Sequence, residues 1–461
     1  MPRRRGTRLL AALVAVLATG VLTGCGVVVL EPPRSSGPGP ETVPGGNSPV
    51  VGATAEEVDV LASDALADLE VFWAGELPEV FGTAFQPLQG GYFSVDPGDL
   101  DPRQYPDGVG CGADPREVED NAFYCLDGQR PNSDSITYDR AFLAELASGY
   151  GRFLPALVMA HEFGHAVQGR VGAPSASIAI ETQADCLAGA WTAWVAAGNA
   201  ERSEMEEADL DDLLRGYFLL RDPVGTGTAQ QSAHGSYFDR VSAFQEGFDA
   251  GAVACRDEFG PERVFTQSQF TRDDDFRRQG NLPYDQLVSL VDSALPAFWE
   301  RVFAEDFGGR FDAPPLEPFA GRAPGCAPAD RDLVYCADGN VVGFDEGLTR
   351  EAYRLGDFAV ATAISIPYAL GARDQLGLDP ADPDAIRSAV CLTGWFSAEV
   401  NRGAVPGTEV SPGDIDESVL FLLTYGVEEQ VLGAAQLSGF QLVDVFRGGF
   451  VEGAAACDVA A

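Results

Sequence analysis

Met159-Ala160-His161-Glu162-Phe163-Gly164-His165-Ala166-Val167-Gln168 is the stretch from which the rest of the chain is read. Residues four apart share one face of a helix, so His161 and His165 can hold one metal ion between them. Glu162 falls about 100° further round, where its carboxylate reaches a water beside the metal rather than the metal itself. Sixteen residues after His165 comes Glu181-Thr182-Gln183-Ala184-Asp185. Glu181 and Asp185 also share a face, so one can complete the coordination while the other orients a ligand from behind. Two neutral imidazoles and one carboxylate suit Zn²⁺ and leave a position open for water, which predicts a single zinc ion per chain.

Local signals place these residues on helices. Pro155 suits the first turn of a motif helix that runs through about Val167 and stops near Gly172, with Pro174 beyond. Leu157, Val158, Ala160 and Phe163 give that helix enough apolar surface to be buried. A second helix, about 178–195, carries Glu181 early and Trp191 and Trp194 late. Ser203 followed by Glu206 reads as a capping box before Leu210, Leu213, Leu214 and Phe218. Ahead of the motif, the glycines near Gly90 and the β-prone Ser135-Ile136-Thr137-Tyr138 predict a small sheet. The fold class is therefore α+β, predominantly helical.

A chain of 461 residues is long enough for two or three domains. It carries 70 acidic against 30 basic residues, a net charge of −40, and every strong base is an arginine. Such a surface repels phosphate backbones and argues against nucleic acid as a partner.

The N-terminus reads as an export signal. Arg3, Arg4, Arg5 and Arg8 precede an apolar run from Leu9 to Leu22, too short to span a bilayer comfortably. The run ends in Leu22-Thr23-Gly24-Cys25, which resembles the lipobox of bacterial lipoproteins. Residues 1–25 are thus expected to be a lipoprotein signal with Cys25 as the lipidated residue, and 26–53 a Pro/Gly/Ser-rich flexible tether. A lipid anchor would hold the protein on the outer face of a bacterial membrane; a plain secretory signal would release it.

The remainder reads as two copies of one domain, 54–260 and 283–461, joined by a linker over 261–282. Phe238-Asp239-Arg240-Val241, Phe244, Gly247-Phe248, Gly251 and Cys255 recur at identical spacing as Phe440 through Val443, Phe446, Gly449-Phe450, Gly453 and Cys457. Ala184-Asp185-Cys186-Leu187-Ala188-Gly189 matches Ala389-Val390-Cys391-Leu392-Thr393-Gly394. Asp209 to Asp212 matches Asp414 to Glu417, Tyr124-Cys125 matches Tyr335-Cys336, and Phe72-Trp73 matches Phe298-Trp299. The matches keep their order along the chain. Each copy has an early and a late pair of cysteines, so the repeat predicts Cys111–Cys125, Cys186–Cys255, Cys326–Cys336 and Cys391–Cys457 as disulfides, with other pairings inside a copy left open.

On that register the second copy has lost the metal set. His161, Glu162 and His165 fall on Ile364, Ser365 and Tyr368; Glu181 falls on Ile386, Asp185 on Val390 and His234 on Gln436. The three histidines of the chain, His161, His165 and His234, all lie in the first copy. The second copy is expected to be a degenerate duplicate in which the pocket closed over as core.

Zinc would acidify a water, and Glu162 would take its proton and pass it to the leaving amine of a peptide bond. His234 is the available candidate for a second donor to the oxyanion; the plainer alternative is a structural histidine.

At these residues the chain resembles the bacterial neutral zinc metallopeptidase family, the YpfJ-like zincins, many of them membrane-attached. The resemblance rests on Ala160 through Gln168, on Glu181 through Trp191, and on His234-Gly235-Ser236 with Arg240, Phe244 and Gly247. Phe123-Tyr124-Cys125 and Ile136-Thr137-Tyr138-Asp139 add to it. It covers the first copy well and the second only through the repeat. It implies a zincin-like fold, a protein or peptide substrate, His161 and His165 as ligands, and Glu162 as general base. By the gluzincin pattern ExxxD it makes Glu181 the third ligand and Asp185 the residue behind it. Where the family often has a further histidine after the motif, Ala166 stands here, which removes no proposed ligand.

Two rival functions remain: a non-catalytic zinc-containing surface lipoprotein that binds or scaffolds a partner, and a zinc amidase acting on cell-wall peptides. The intact Glu162 favours an enzyme, because a structural zinc site has no use for a base. Oligomeric state and cleavage preference are not written in the sequence.

Overall fold

The computed structural model describes residues 49–459 except Gln231. The expected signal segment, Cys25 and nearly all of the tether lie outside the described residues. The tether's last residues do not stay loose: Val50–Val51 form strand β1, paired in parallel with β2, Gly91–Val95. Two β-branched residues beside an open strand edge are well suited to pair there. Helix α1, Glu57–Phe81, lies between them in sequence. β3 (Ala122–Cys125) and β4 (Ser135–Asp139) complete a sheet of order β1-β2-β4-β3, with β3 antiparallel and the rest parallel. The strand over 135–139 includes the segment expected from sequence.

Five helices follow in the first half: α2 Arg140–Tyr150, α3 Leu154–Val171, α4 Ser177–Ala196, α5 Glu207–Leu220 and α6 Tyr237–Asp257. Helix α3 is the motif helix, with Pro155 in its first turn. It ends where Gly172, at φ 96°, donates its N–H to the Gln168 carbonyl. Residues 154–168 are buried without interruption, so α3 is covered on all sides by α1, α4 and the sheet.

α5 starts three residues later than Ser203 suggested as its cap. The box is formed by Glu206 and Asp209, whereas the N–H groups of Glu201, Arg202 and Ser203 all donate to Asp68 of α1. Once those donors are tied to a neighbouring helix, the helical turn can begin only beyond them.

The segment 261–282 is tied to both halves. The N–H groups of Thr266 and Gln267 donate to Asp239, a short helix α7 spans Asp273–Arg278, and the Leu282 N–H donates to Asp357.

The second half contains α8 (Tyr284–Glu305), β5 (Leu316–Phe319), β6 (Leu333–Cys336), β7 (Val341–Asp345), α9 (Glu346–Ala352), α10 (Asp357–Gln375), α11 (Ala385–Asn401), α12 (Asp414–Phe421) and α13 (Gly439–Glu452). Its sheet, β5-β7-β6, has one parallel and one antiparallel pairing, as in β2-β4-β3. The disulfides are Cys111–Cys125, Cys186–Cys255, Cys326–Cys336 and Cys391–Cys457. The two long-range ones join α4 to α6, and α11 to the segment just after α13.

The helix pairs α4–α6 and α11–α13 each meet backbone to backbone at glycines. A Cβ on Gly189 would stand 2.0 Å from the Phe244 carbonyl oxygen, and one on Gly394 would stand 2.0 Å from that of Phe446. Gly247 and Gly449 face the carbonyls of Cys186 and Cys391 in the same way, at 1.8 Å. Residues with any side chain are sterically excluded at these four places.

The halves pack through α6 and α13 reciprocally. Asp416 accepts the Phe238 N–H at 2.9 Å, and Asp211 accepts the N–H of Phe440 at 2.7 Å. Phe238 meets Phe450 at 4.6 Å between ring centroids, and Phe440 meets Phe248 at 5.0 Å. A single contiguous apolar core runs through both halves.

Candidate metal centre

α3 and α4 approach closely because Gly164 faces the Ala184 backbone; an added Cβ would lie 3.0 Å from it. This contact brings His161 and His165 against Glu181, all three nearly fully buried. His161 Nε2 lies 3.2 Å from His165 Nε2. Glu181 Oε2 lies 3.3 Å from the first and 3.5 Å from the second. Ligands about 2.0–2.1 Å from a tetrahedral zinc stand roughly 3.3–3.4 Å apart, so this triangle has the edge lengths of a zinc shell. Glu181 Oε2 meets no hydrogen-bond donor. A bare buried carboxylate oxygen facing two imidazole nitrogens fits a cation.

Each imidazole is held from behind at Nδ1, which leaves Nε2 to the centre. His161 Nδ1 is 2.8 Å from Asp185 Oδ1. Asp185 is itself gripped by the Arg240 guanidinium through two bonds of 2.8 Å. His165 Nδ1 is 2.9 Å from Gln168 Oε1. The Gln168 amide donates to the Ile180 carbonyl and to Gln183. Asp185 therefore stands behind His161 rather than behind Glu181.

Glu162 has no exposed surface. Its Oε2 accepts the backbone N–H of Tyr124 at 2.7 Å, from strand β3, while Oε1 has no donor. One oxygen is anchored and the other left available.

His234 sits on the loop before α6. Its Nδ1 is 3.0 Å from Asp222 Oδ1, and Asp222 also accepts the His234 N–H at 2.7 Å. Gly235, at φ 119°, packs against Thr182, the residue after Glu181. These contacts bring the loop of His234 against α4 beside Glu181.

The electrostatics are those of a pocket prepared for positive charge. Burial opposes protonation of His161, but Asp185 and Glu181 outweigh it and push its pKa up to about 10. Burial also works against the Glu181 carboxylate, and the two histidines overcome it and hold the group well below its usual range. Arg240 overcomes burial at Asp185 in the same sense. His234 is raised: burial disfavours its cation, and Asp222 with the nearby Glu181 reverses that.

The structure thus brings His161, His165 and Glu181 together, sets Asp185 behind His161, and buries Glu162 on the same helix as the two histidines. Arg240, Gln168 and the Tyr124 backbone are supporting parts that no ligand spacing in the sequence indicated. On the second half, Ile364, Ser365, Tyr368 and Val390 are buried, and Ile386 is partly so.

Residues 108–259 match the profile of a family described as "Putative neutral zinc metallopeptidase". The uncharacterized protein Rv2575 of Mycobacterium tuberculosis is 27% identical over 179 residues, covering 33% of this chain and 59% of its own length. The uncharacterized protein YpfJ of Escherichia coli K12 is 26% identical over 279 residues, covering 55% of this chain and 84% of its own. The chain thus spans about 59% of the mycobacterial relative it matches. No solved structure matches the chain. Among the described residues, no helix is long and apolar enough to cross a membrane.

Proposed function

We propose, on the match of residues 108–259 to a neutral zinc metallopeptidase family, that the chain hydrolyses peptide bonds with one zinc ion held by His161, His165 and Glu181. The observation that carries this is Glu162: a buried carboxylate with one oxygen tied to the Tyr124 N–H and the other bare. A site that used zinc only as a brace would leave such a group without purpose. When bound, the ion supplies Lewis acidity and lowers the pKa of a water toward neutrality.

The chain's own residues do the rest. Asp185, locked by Arg240, fixes the ring orientation of His161, and Gln168 fixes that of His165. Glu162 Oε1 accepts the proton of the attacking water and returns it to the leaving amine. His234, whose Nδ1 is held by Asp222 and whose loop packs against α4 beside Glu181, is the residue assigned to the developing oxyanion.

The second half serves, in this proposal, as a degenerate copy of the first. The reciprocal Asp211 and Asp416 caps, the matching glycine contacts and the parallel disulfides support a gene duplication whose two products dock about a pseudo-twofold axis. Four disulfides agree with an exported chain. We place it at the outer face of the bacterial membrane, anchored through Cys25.

The test is zinc per chain on the intact protein, followed by turnover of unfolded protein substrates by wild type and Glu162→Gln. One zinc in each, with turnover reduced by ~10²–10⁴ in the variant, is the expected result. Wild-type activity in Glu162→Gln would discard the mechanism.

A further inference from the structure

The second half buries a group of acids far from any catalytic role. Asp357 opens α10, and Asp414 and Glu417 stand one turn apart on α12. A carboxylate oxygen from each lies within 4.8 Å of the other two. All three are buried, Asp414 with 5% of its surface exposed. Backbone donors take up part of the set: Ser411 N–H to Asp414 Oδ2, Phe358 N–H to Glu417 Oε2, and Leu282 N–H to Asp357 Oδ2, each 2.7 Å. Asp414 Oδ1 has no hydrogen-bond partner. Among the described residues no arginine forms an ion pair with the trio; Arg272 pairs with Glu409 and more distantly with Asp275, and Arg278 reaches Asp274 and Asp275.

The same two features mark the zinc centre of the first half: three convergent ligand atoms and a buried carboxylate oxygen without a donor. The ligand chemistry differs. Here every donor is a carboxylate oxygen, a set suited to a hard cation that takes six to eight oxygens. A cavity of about 200 Å³, lined by Asp357, Asp414 and Ser411 among others, opens beside the trio and has room for waters to complete such a shell. Left alone, three carboxylates at this spacing repel one another in a poorly solvated place.

We propose that Asp357, Asp414 and Glu417 form a calcium-class cation site that ties the start of α10 to α12. The first half has no equivalent. On the repeat register Asp357 replaces Leu154, while the counterparts of Asp414 and Glu417 are Asp209, which closes the α5 capping box, and Asp212, which pairs with Arg215 at the surface. The site would belong to the second half alone, the half that lacks the histidine set.

The experiment is equilibrium dialysis of the zinc-loaded full chain against radioactive Ca²⁺, with thermal melts at each concentration. Asp414→Asn and Asp357→Leu serve as variants, the latter installing the first half's residue. The expected result is one tightly held Ca²⁺ per wild-type chain, absent from both variants, and a melting temperature that rises with calcium only in the wild type. Each variant removes a repelling charge, so it should melt no lower than the wild type in calcium-free buffer, which separates loss of binding from loss of fold. Equal uptake by wild type and variants would assign the calcium to the acidic surface, and an unshifted wild-type melt would equally overturn the site. Zinc content read on the same samples keeps either failure apart from failure of the zinc proposal.

Discussion

Around Arg240 the first half buries charge, and at the matching place the second half buries hydrocarbon. Asp185 and Arg240 form a two-bond ion pair with almost no solvent exposure. Their counterparts on the repeat register, Val390 and Leu442, are core residues. Replacing a buried ion pair by well-packed apolar residues is often neutral or stabilising, whereas removing one partner alone is costly. The difference therefore locates the purpose of the pair: it is not needed for the helix packing, which the second half achieves without it, but it aims His161.

What the halves hold in common is the part most sensitive to change. The α4–α6 and α11–α13 contacts leave no room for a methyl group at Gly247 or Gly449, where a Cβ would lie 1.8 Å from a carbonyl oxygen. Gly247→Ala and Gly449→Ala should each force the helices apart and cost upwards of 3 kcal/mol, because the obstruction is backbone and cannot swing aside. Chemical denaturation of the two variants would check this. If one half tolerated the methyl while the other unfolded, the equivalence of the two packing sites would be broken.

The next largest effect separates aim from packing. Arg240→Leu leaves Asp185 buried without its cation and should cost about 3–5 kcal/mol. Adding Asp185→Val, to reproduce the second half's pair, should recover most of that loss. The double variant should still bind zinc roughly 10–100-fold more weakly than wild type, since His161 has lost its orienting partner. Stability and zinc affinity measured over the full double-mutant cycle decide the matter. A double variant that stayed as unstable as the single would show that the pair does structural work which Val390 and Leu442 do not replace.

This pair also marks where the sequence stops being legible. His161 and His165 could be read because a helix repeats every 3.6 residues, so spacing alone puts them on one face; Glu162 followed from its place beside them, and Glu181, on another helix, from the resemblance of its segment. The disulfides could be read because the repeat aligned four cysteines with four others. Arg240 stands 55 residues from Asp185 on another helix, and no period connects them. The trio of Asp357, Asp414 and Glu417 was hidden for the same reason, as was the start of α5, which Asp68 sets from α1. Local pattern gives faces and caps; contacts between distant helices appear only with the packing.

The smallest effect is one of pH, and here the acids around the metal centre and those around α12 pull in opposite directions. Glu181, Asp185 and Asp222 are held below their usual values by histidine and arginine partners that overcome burial. Asp357 and Asp416 are pushed up to about 6, chiefly by burial. An acid raised in the folded state binds its proton before the unfolded chain does, so it adds stability as pH falls from 7 toward about 4. The depressed acids contribute stability that is fully present above about 4 and is lost only as pH falls further. In cation-free buffer the melting temperature should therefore rise between pH 7 and pH 5, with about 1 kcal/mol attributable to Asp416. Asp416→Asn should flatten its share of that slope. A wild-type melt that falls over the same interval would mean that the second half keeps its acids ionised in the fold, with the repulsion between them already relieved by other means.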